Sequence, residues 1–268
     1  MAYRSLSVVT YFIFILFCVG LIPPAAFSQT GEDHPYPYQF GEKLMFNVKY
    51  FNVTAGKASL HVVGITRLGP YKTIRIQSRT KTVNVFNKIY SVNDLIETFL
   101  HPTRLEPYLY RVKLREGNYK RDKTITFDHK DDTAIYLKNV EHPVIVDVPN
   151  QVQDPLSALY YLRTKPLSVG KSVFMKVFDD KKLYDMEVQV LKKETIKTFF
   201  GNVETLMVKP MLQSEGIFKR TGDIYVWLSN DHRRIPLKMK SDIKIGSINA
   251  DISKIEGVPG YTDLAKNE

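Results

Sequence analysis

Residues 108–118 read Tyr-Leu-Tyr-Arg-Val-Lys-Leu-Arg-Glu-Gly-Asn. Tyr108, Tyr110, Val112 and Leu114 alternate with Arg111, Lys113 and Arg115, and Glu116-Gly117-Asn118 then supplies turn residues. Successive side chains of an extended strand point to opposite faces. The alternation therefore puts apolar side chains on one face and cations on the other, the pattern of a half-buried strand. Lys120, Arg121 and Lys123 follow on the returning strand, so the hairpin carries six basic residues.

The same period recurs on both sides. Leu44, Phe46, Val48 and Tyr50, then Ala58, Leu60 and Val62, then Ile74 and Ile76 precede it. Met186, Val188 and Val190, then Leu206 and Val208, then Ile224, Val226 and Leu228, then Ile248, Ala250 and Ile252 follow. Turn signals such as Leu68-Gly69-Pro70, Gly201-Asn202 and Ser229-Asn230-Asp231 separate the runs. About a dozen strands at roughly ten-residue spacing predict a mainly β fold, an antiparallel barrel-like or strongly curved sheet. Helices do not alternate with the strands, which argues against a parallel βαβ sheet.

One segment breaks the period. Asp154-Pro155-Leu156-Ser157-Ala158-Leu159-Tyr160-Tyr161-Leu162-Arg163 spaces its apolar residues as a short helix does. Asp154 is a good N-cap and Pro155 suits the first helical position. Leu156, Leu159, Tyr160 and Leu162 form a stripe expected to pack on the sheet. Arg163 falls in the last turn, where the helix dipole favours a cation. A lone helix in a β domain is expected to cover the mouth or seam of the barrel, as a fixed plug or as a gate.

The N-terminus reads as a signal peptide over residues 1–28: Arg4, an apolar run from Leu6 to Ile22, Pro23-Pro24, and the small-x-small site Ala26-Phe27-Ser28. The rival is an uncleaved anchor, although the run is shorter than the roughly 20 residues a spanning helix uses. The only cysteine, Cys18, lies inside this segment, and Phe17 stands where a lipidation signal wants a small residue. The rest of the chain divides into an extended leader (29–40), one β-rich domain (41–257) and a flexible C-terminal tail (258–268). The domain has no cysteine for a disulfide or thiolate site, so its stability rests on its core.

The whole chain carries a formal charge of +10; without Arg4, 37 basic side chains stand against 28 acidic ones, an excess of nine. Such an excess suits anionic material, which for an exported protein means a membrane surface, lipopolysaccharide or acidic glycan rather than nucleic acid. Arg111, Lys113, Arg115, Lys120, Arg121 and Lys123 are the candidates for this contact, unless they form only a solvated sheet face.

No established catalytic motif is present. The six histidines make no zinc-protease pattern, no Gly-x-Ser-x-Gly elbow occurs, and nothing implies a metal or a cofactor. Carboxylates are the chemistry left open. Asp94, Glu97, Glu106 and Asp154 lie in or beside apolar runs, where burial raises a pKa. Asp94 and Glu97 face opposite sides of their strand, since their spacing is odd. Tyr108, Tyr110, Tyr160 and Trp227 are the aromatic candidates for lining a ligand cavity.

Three stretches in order carry a resemblance: Gly41-Glu42-Lys43-Leu44-Met45-Phe46-Asn47-Val48 with Ala55-Gly56-Lys57-Ala58; Asp154 to Arg163; and Val226-Trp227-Leu228-Ser229-Asn230-Asp231-His232-Arg233-Arg234-Ile235-Pro236 leading to Ile245-Gly246-Ser247-Ile248. Together they resemble the bacterial domain-of-unknown-function family 3108, over about Gly41 to Gly257. The resemblance implies an antiparallel β fold and an exported envelope protein of a Gram-negative periplasm, and it assigns no catalytic residue. Physically, Gly56 is expected to permit a tight turn, Pro236 to lie at an edge or open a strand, and Gly246 to mark a bulge or a barrel-corner kink.

Three functions compete. The first is a periplasmic protein that binds an amphiphilic lipid, glycolipid or glycan or contributes to envelope maintenance, favoured by a long apolar cavity. The second is a glycan hydrolase working through two carboxylates, favoured by a buried pair in an open cleft. The third is a module that binds another envelope protein through a sheet edge, favoured by a filled barrel with an exposed flat edge.

Overall fold

The computed structural model of the chain describes residues 36–88, 90–139, 141–212, 222–243 and 245–261. The expected signal segment and the leader as far as residue 35 lie outside the described residues. The alternating runs become β1 (Lys43–Tyr50), β2 (Val53–Leu68), β3 (Tyr71–Thr82), β4 (Asn93–Leu100), β5 (Pro107–Glu116), β6 (Tyr119–Asp128), β7 (Thr133–Lys138) and β8 (Val144–Asp147). The second half supplies β9 (Ser172–Asp179), β10 (Lys182–Thr198), β11 (Gly201–Leu212), β12 (Ile224–Ser229), β13 (Pro236–Asp242) and β14 (Ser247–Glu256). Two helices join them: α1 (Asn84–Asn87), one turn long, and α2 (Pro155–Arg163).

All fourteen strands belong to one antiparallel sheet, in the order β8-β7-β6-β5-β4-β3-β2-β1-β14-β13-β12-β11-β10-β9. The first and last strands pair with each other, Phe46 opposite Ile252 and Val48 opposite Ala250. The break in the ladder therefore falls mid-chain, between β8 and β9. The segment leaving β8 crosses it. Gln153 forms a parallel bridge with Val177, donating its N–H to the Lys176 carbonyl and accepting one from Phe178, both at 2.8 Å.

The curled sheet surrounds one large apolar cluster that includes Leu44, Phe46, Leu60, Ile76, Tyr110, Ile125 and Phe178. Helix α2 lies within the curl. Leu156 and Tyr160 join this cluster, while Ala158 and Leu162 join a second one with Val177, Met186 and Val188. The sequence implied a single apolar stripe, but Pro155, Leu156, Ser157, Ala158, Tyr160, Leu162 and Arg163 are all buried and only Leu159 and Tyr161 are half-buried. A helix enclosed this far must have partners for its polar groups. Asp154 Oδ1 accepts the N–H groups of Leu156 (2.8 Å) and Ser157 (2.9 Å), and Ser157 Oγ accepts the Asp154 N–H (2.8 Å). The hydroxyl of Thr98 on β4 donates to Asp154 Oδ2 at 2.6 Å. Arg163 does more than complement a dipole. It donates to both oxygens of Glu42, at 2.5 and 2.9 Å, and to the carbonyl of Arg233 at 3.0 Å.

Several local expectations shift. The β1–β2 turn is made by Phe51 and Asn52, at φ 46° and 64°. Gly56 instead lies inside β2, where a Cβ would sit 3.0 Å from the Lys81 carbonyl oxygen. Gly246, at φ 82°, belongs to the β13–β14 turn, where the Ile243 N–H reaches its carbonyl at 3.1 Å, so it is neither a bulge nor a corner. Pro236 opens β13, as its missing N–H requires. Packing also outlasts the expected domain boundaries. Tyr38 of the leader is buried edge-on against Tyr160, Val258 is buried, and the Tyr261 hydroxyl donates to Asp231 at 3.2 Å.

Candidate functional site

Among the described residues, the interior of the curl holds a large apolar cluster of side chains. Tyr110 and Tyr160, two of the aromatic candidates, are core residues there. Burial raises both phenols well above their ordinary pKa. Tyr108 is the extra residue of a bulge opposite Phe99 and Leu100. Its ring stacks on Tyr71 at 4.7 Å and meets His129 edge-on at 5.6 Å, at the rim of the sheet. The structure thus separates Tyr108 from Trp227 and encloses the other two.

The basic hairpin also divides. The two-residue turn Gly117-Asn118 pairs Glu116 with Tyr119, Leu114 with Arg121, and Val112 with Lys123. Residues directly opposite in a ladder share a face, so Arg121 and Lys123 point inward with Leu114 and Val112. Both are buried, and they form ion pairs with Asp179 and Asp180 at the β9–β10 turn. Arg121 also donates to the Tyr136 hydroxyl at 3.0 Å. These contacts clamp the two sides of the β8/β9 break where the ladder is interrupted. Only Arg111, Lys113, Arg115 and Lys120 remain on the outer face, and Arg115 is paired there with Asp122 at 2.7 Å. Two of the six cations are therefore unavailable to an anionic surface.

Among the carboxylates, Glu106 pairs with Arg104 at 2.5 Å and Asp154 caps α2, with burial raising its pKa to about 6. Glu97 lies outward, salt-bridged to Arg75 and Arg111, opposite in facing to Asp94 as their spacing implied. Asp94 meets Glu116, which the sequence reading did not consider. Both are buried, and Asp94 Oδ1 accepts the Arg115 N–H at 2.7 Å. The carboxyls are near enough to share a hydrogen bond when one is protonated, and no other donor reaches Asp94 Oδ2 or Glu116 Oε1 among the described residues. Burial, then mutual repulsion, raises Glu116 to about 8; burial raises Asp94 to about 7. Because both groups are enclosed, they form a proton-sharing pair inside the fold rather than a catalytic pair in a cleft.

The outer face of β10–β14 is different. Val226 and Leu228 belong to the core, so Trp227 between them points outward, and it belongs to neither apolar cluster. Its indole N–H donates to Glu194 at 2.8 Å, and the Lys238 ammonium stands 5.1 Å from its ring centre. Cross-strand pairing lines up Lys192, Met207, Trp227, Lys238, Asp251 and Asn47 on successive strands from β10 to β1. Five strand spacings of about 4.8 Å make this row about 24 Å long. Two clefts follow it. One, of about 470 Å³, lies over Met207, Tyr225 and Trp227, with Lys192 and Lys240 at its sides. The other, of about 660 Å³, lies between the β10–β11 hairpin tip (Ile196 to Phe199) and Asn47, Lys238 and Asp251. Lys192, Lys240 and Lys49 pair with Glu194, Asp242 and Asp251, while Lys209 and Lys240 stand 5.7 and 5.9 Å from the Tyr225 ring centre. Of the aromatic candidates, Trp227 lines the first of these clefts. Its neighbours Lys192, Met207 and Lys238 went unnoticed in the sequence, although the parity of each strand places them on its face once register is known.

A family model described as "Protein of unknown function (DUF3108)" matches residues 45–253. The chain belongs to the DUF3108 family. The match falls inside the interval expected from the three sequence stretches, and it runs from β1 to β14, so the DUF3108 domain comprises the entire curled sheet. No curated protein matches the chain. Among solved structures, the DUF3108 domain is similar to a β-barrel-like protein of domain-of-unknown-function family 1849 from Brucella abortus, with 11% identity and a TM-score of 0.53. That likeness covers 80% of this chain and 96% of the other, and it supports a barrel-like fold. Two further matches have TM-scores of 0.32. One is a candidate lipoprotein from Parabacteroides distasonis (12% identity, 82% and 97% coverage). The other is a candidate exported protein of Bacteroides fragilis with a YmcC-like fold (11% identity, 82% and 98% coverage).

Proposed function

We propose that this DUF3108 protein is exported to the bacterial envelope and binds an extended amphiphilic or glycan ligand in the groove on the outside of its sheet. The row that sets Trp227, in the floor of one cleft, beside Lys238, at the wall of the other, carries this reading. An aromatic floor offers a flat apolar surface to a sugar ring or an acyl chain, and ammonium groups beside it favour an anionic head group. The row's length of about 24 Å, at about 4.8 Å per strand, suits a chain-like ligand better than a compact metabolite. Export rests on the signal-like pattern of residues 1–28 and on the family resemblance. The apolar cluster inside the curl favours an external site, and burial of Asp94 and Glu116 takes that pair out of reach of a glycan.

Trp227 is the only tryptophan in the chain, so its emission reports on this groove alone. Titration with lysophosphatidylglycerol below its micellar concentration, and separately with an acidic oligosaccharide, is expected to shift that emission saturably with at least one of them. Changing Lys238 to Ser should weaken the response. Unchanged emission with both probes, together with native mass spectrometry showing no ligand retained from the cell envelope, would overturn the proposal.

A further inference from the structure

The outer face of β3–β5 holds a second arrangement, apart from the groove. Phe99 and Leu109 are buried but belong to neither core cluster, so they lie on the outside of the sheet beneath the long side chains around them. Arg75 and Arg111 both reach over Phe99, with guanidinium carbons 5.8 and 5.9 Å from its ring centre. Both also converge on Glu97. Arg75 donates through Nε at 2.9 Å and Nη2 at 2.5 Å, Arg111 through Nη1 at 3.4 Å, and Gln77 adds a donor at 2.8 Å. Hydrogen bonds from Gln77 and Arg75 and the charges of both arginines hold the Glu97 carboxyl below its ordinary pKa despite its burial.

One ionised carboxylate is thus shared by two arginines, leaving a surplus positive charge. The Glu97 side chain is 4% exposed, whereas those of Arg75 and Arg111 are 34% and 39% exposed. The acid lies beneath and the guanidinium groups present part of their donor edge to solvent. Arg79 and Lys113 flank them, both in register with Leu95 on the strand between. The nearby His61 imidazole is held below its ordinary pKa first by burial, then by Lys43 and Arg79. Stacking on Phe99 and anchoring to Glu97 fix the guanidinium groups in advance, which reduces the ordering cost of binding.

We infer that Arg75 and Arg111, with Arg79 and Lys113, form a docking face for the phosphate head groups of an anionic lipid layer. The guanidinium fork matches phosphate oxygens in pairs. The face is the convex side of a curled sheet, and a convex surface meets a planar array of phosphates more readily than it encloses one solute. Four cations on β3 and β5, set about the Glu97 carboxylate sunk on β4 between them, suit that array.

The test is co-sedimentation of the protein with vesicles of phosphatidylglycerol and phosphatidylcholine, against pure phosphatidylcholine, near physiological salt. Binding to the anionic vesicles alone is expected, weakening as salt shortens the roughly 8 Å screening length. Each cation near an anionic surface contributes about fivefold in affinity, so Arg75→Ser with Arg111→Ser should weaken binding about 25-fold. Glu97→Gln removes the buried negative charge and should tighten binding about fivefold by the same reasoning. A purely structural Arg–Glu–Arg cluster predicts no such gain. The second variant also keeps the test decisive if the double arginine variant folds poorly, and circular dichroism checks its fold. Equal binding to both vesicle types, or wild-type affinity in Glu97→Gln, would overturn the inference. So would displacement of the vesicles by inorganic phosphate where chloride of equal ionic strength leaves them bound, since the face would then be a free-phosphate site. Trp227 emission should respond to groove ligands alike in all these variants, which separates failure of this inference from failure of the groove proposal.

Discussion

Replacing Glu116 with Gln should remove much of the pH dependence of folding stability between about pH 4 and pH 8, the span from ordinary carboxyl pKa values to the raised ones. In the unfolded chain both carboxyls of the Asp94–Glu116 pair ionise near pH 4. In the folded chain burial keeps them protonated up to about 7 for Asp94 and about 8 for Glu116. The folded state therefore binds more protons than the unfolded state across this window. Stability is fully present below the unfolded pKa and is lost as pH rises through the folded values. A shift from 4.5 to about 8 for Glu116 corresponds to about 5 kcal/mol at about 1.36 kcal/mol per unit. That is a ceiling, because the two groups titrate as a pair and cannot each contribute in full. Glutamine keeps the size of the side chain, donates a hydrogen bond to Asp94 as the protonated acid does, and never ionises. Urea denaturation of both proteins at pH 5, 7 and 8.5 measures the difference. The variant should gain on the wild type as pH rises, by roughly 2–5 kcal/mol across the range. A stability difference independent of pH would refute proton sharing by this pair.

Two further outcomes concern helix α2. Arg163→Met leaves Glu42 buried without its counter-charge and should cost about 3–5 kcal/mol in urea denaturation. Adding Glu42→Gln should recover part of that loss, since the unpaired charge is then gone. Asp154→Ala removes the helix cap and should cost about 1–2 kcal/mol by thermal denaturation, at the upper end because it also strands the Thr98 hydroxyl. A change below about 0.5 kcal/mol would show that the cap does not hold the helix in place.

Much of the fold was legible in the chain because a strand's side chains alternate strictly. Tyr110, Val112 and Leu114 are inside, and Arg111 and Lys113 outside, as their parity demands. The helix at Asp154 was legible for another local reason, since a cap and a first-turn proline act within a few residues of each other. Arg121 and Lys123 were misplaced although their facing was within reach. A two-residue turn at Gly117-Asn118 fixes the register, and the register sends both cations inward. Gly56 was misread because a tight turn and a close backbone approach both call for glycine, and the Lys81 carbonyl that makes the approach lies on another strand.

The sequence by itself determined the elements: where strands run, which face of each is apolar, and where the one long interruption becomes a helix. These depend on neighbours in the chain, so periodicity and capping suffice to read them. Only the tertiary structure decided which strands stand side by side. Pairing of β1 with β14 placed the break between β8 and β9, and the curl then enclosed α2, Arg163 and the Asp94–Glu116 pair. The register of neighbouring strands lined up Trp227 with Lys238 and brought Arg75 and Arg111 onto one carboxylate. The contacts of Arg163 with Glu42 and of Lys123 with Asp179 join residues far apart in sequence, and no local pattern encodes them, because their energy arises only when the whole sheet curls around its core.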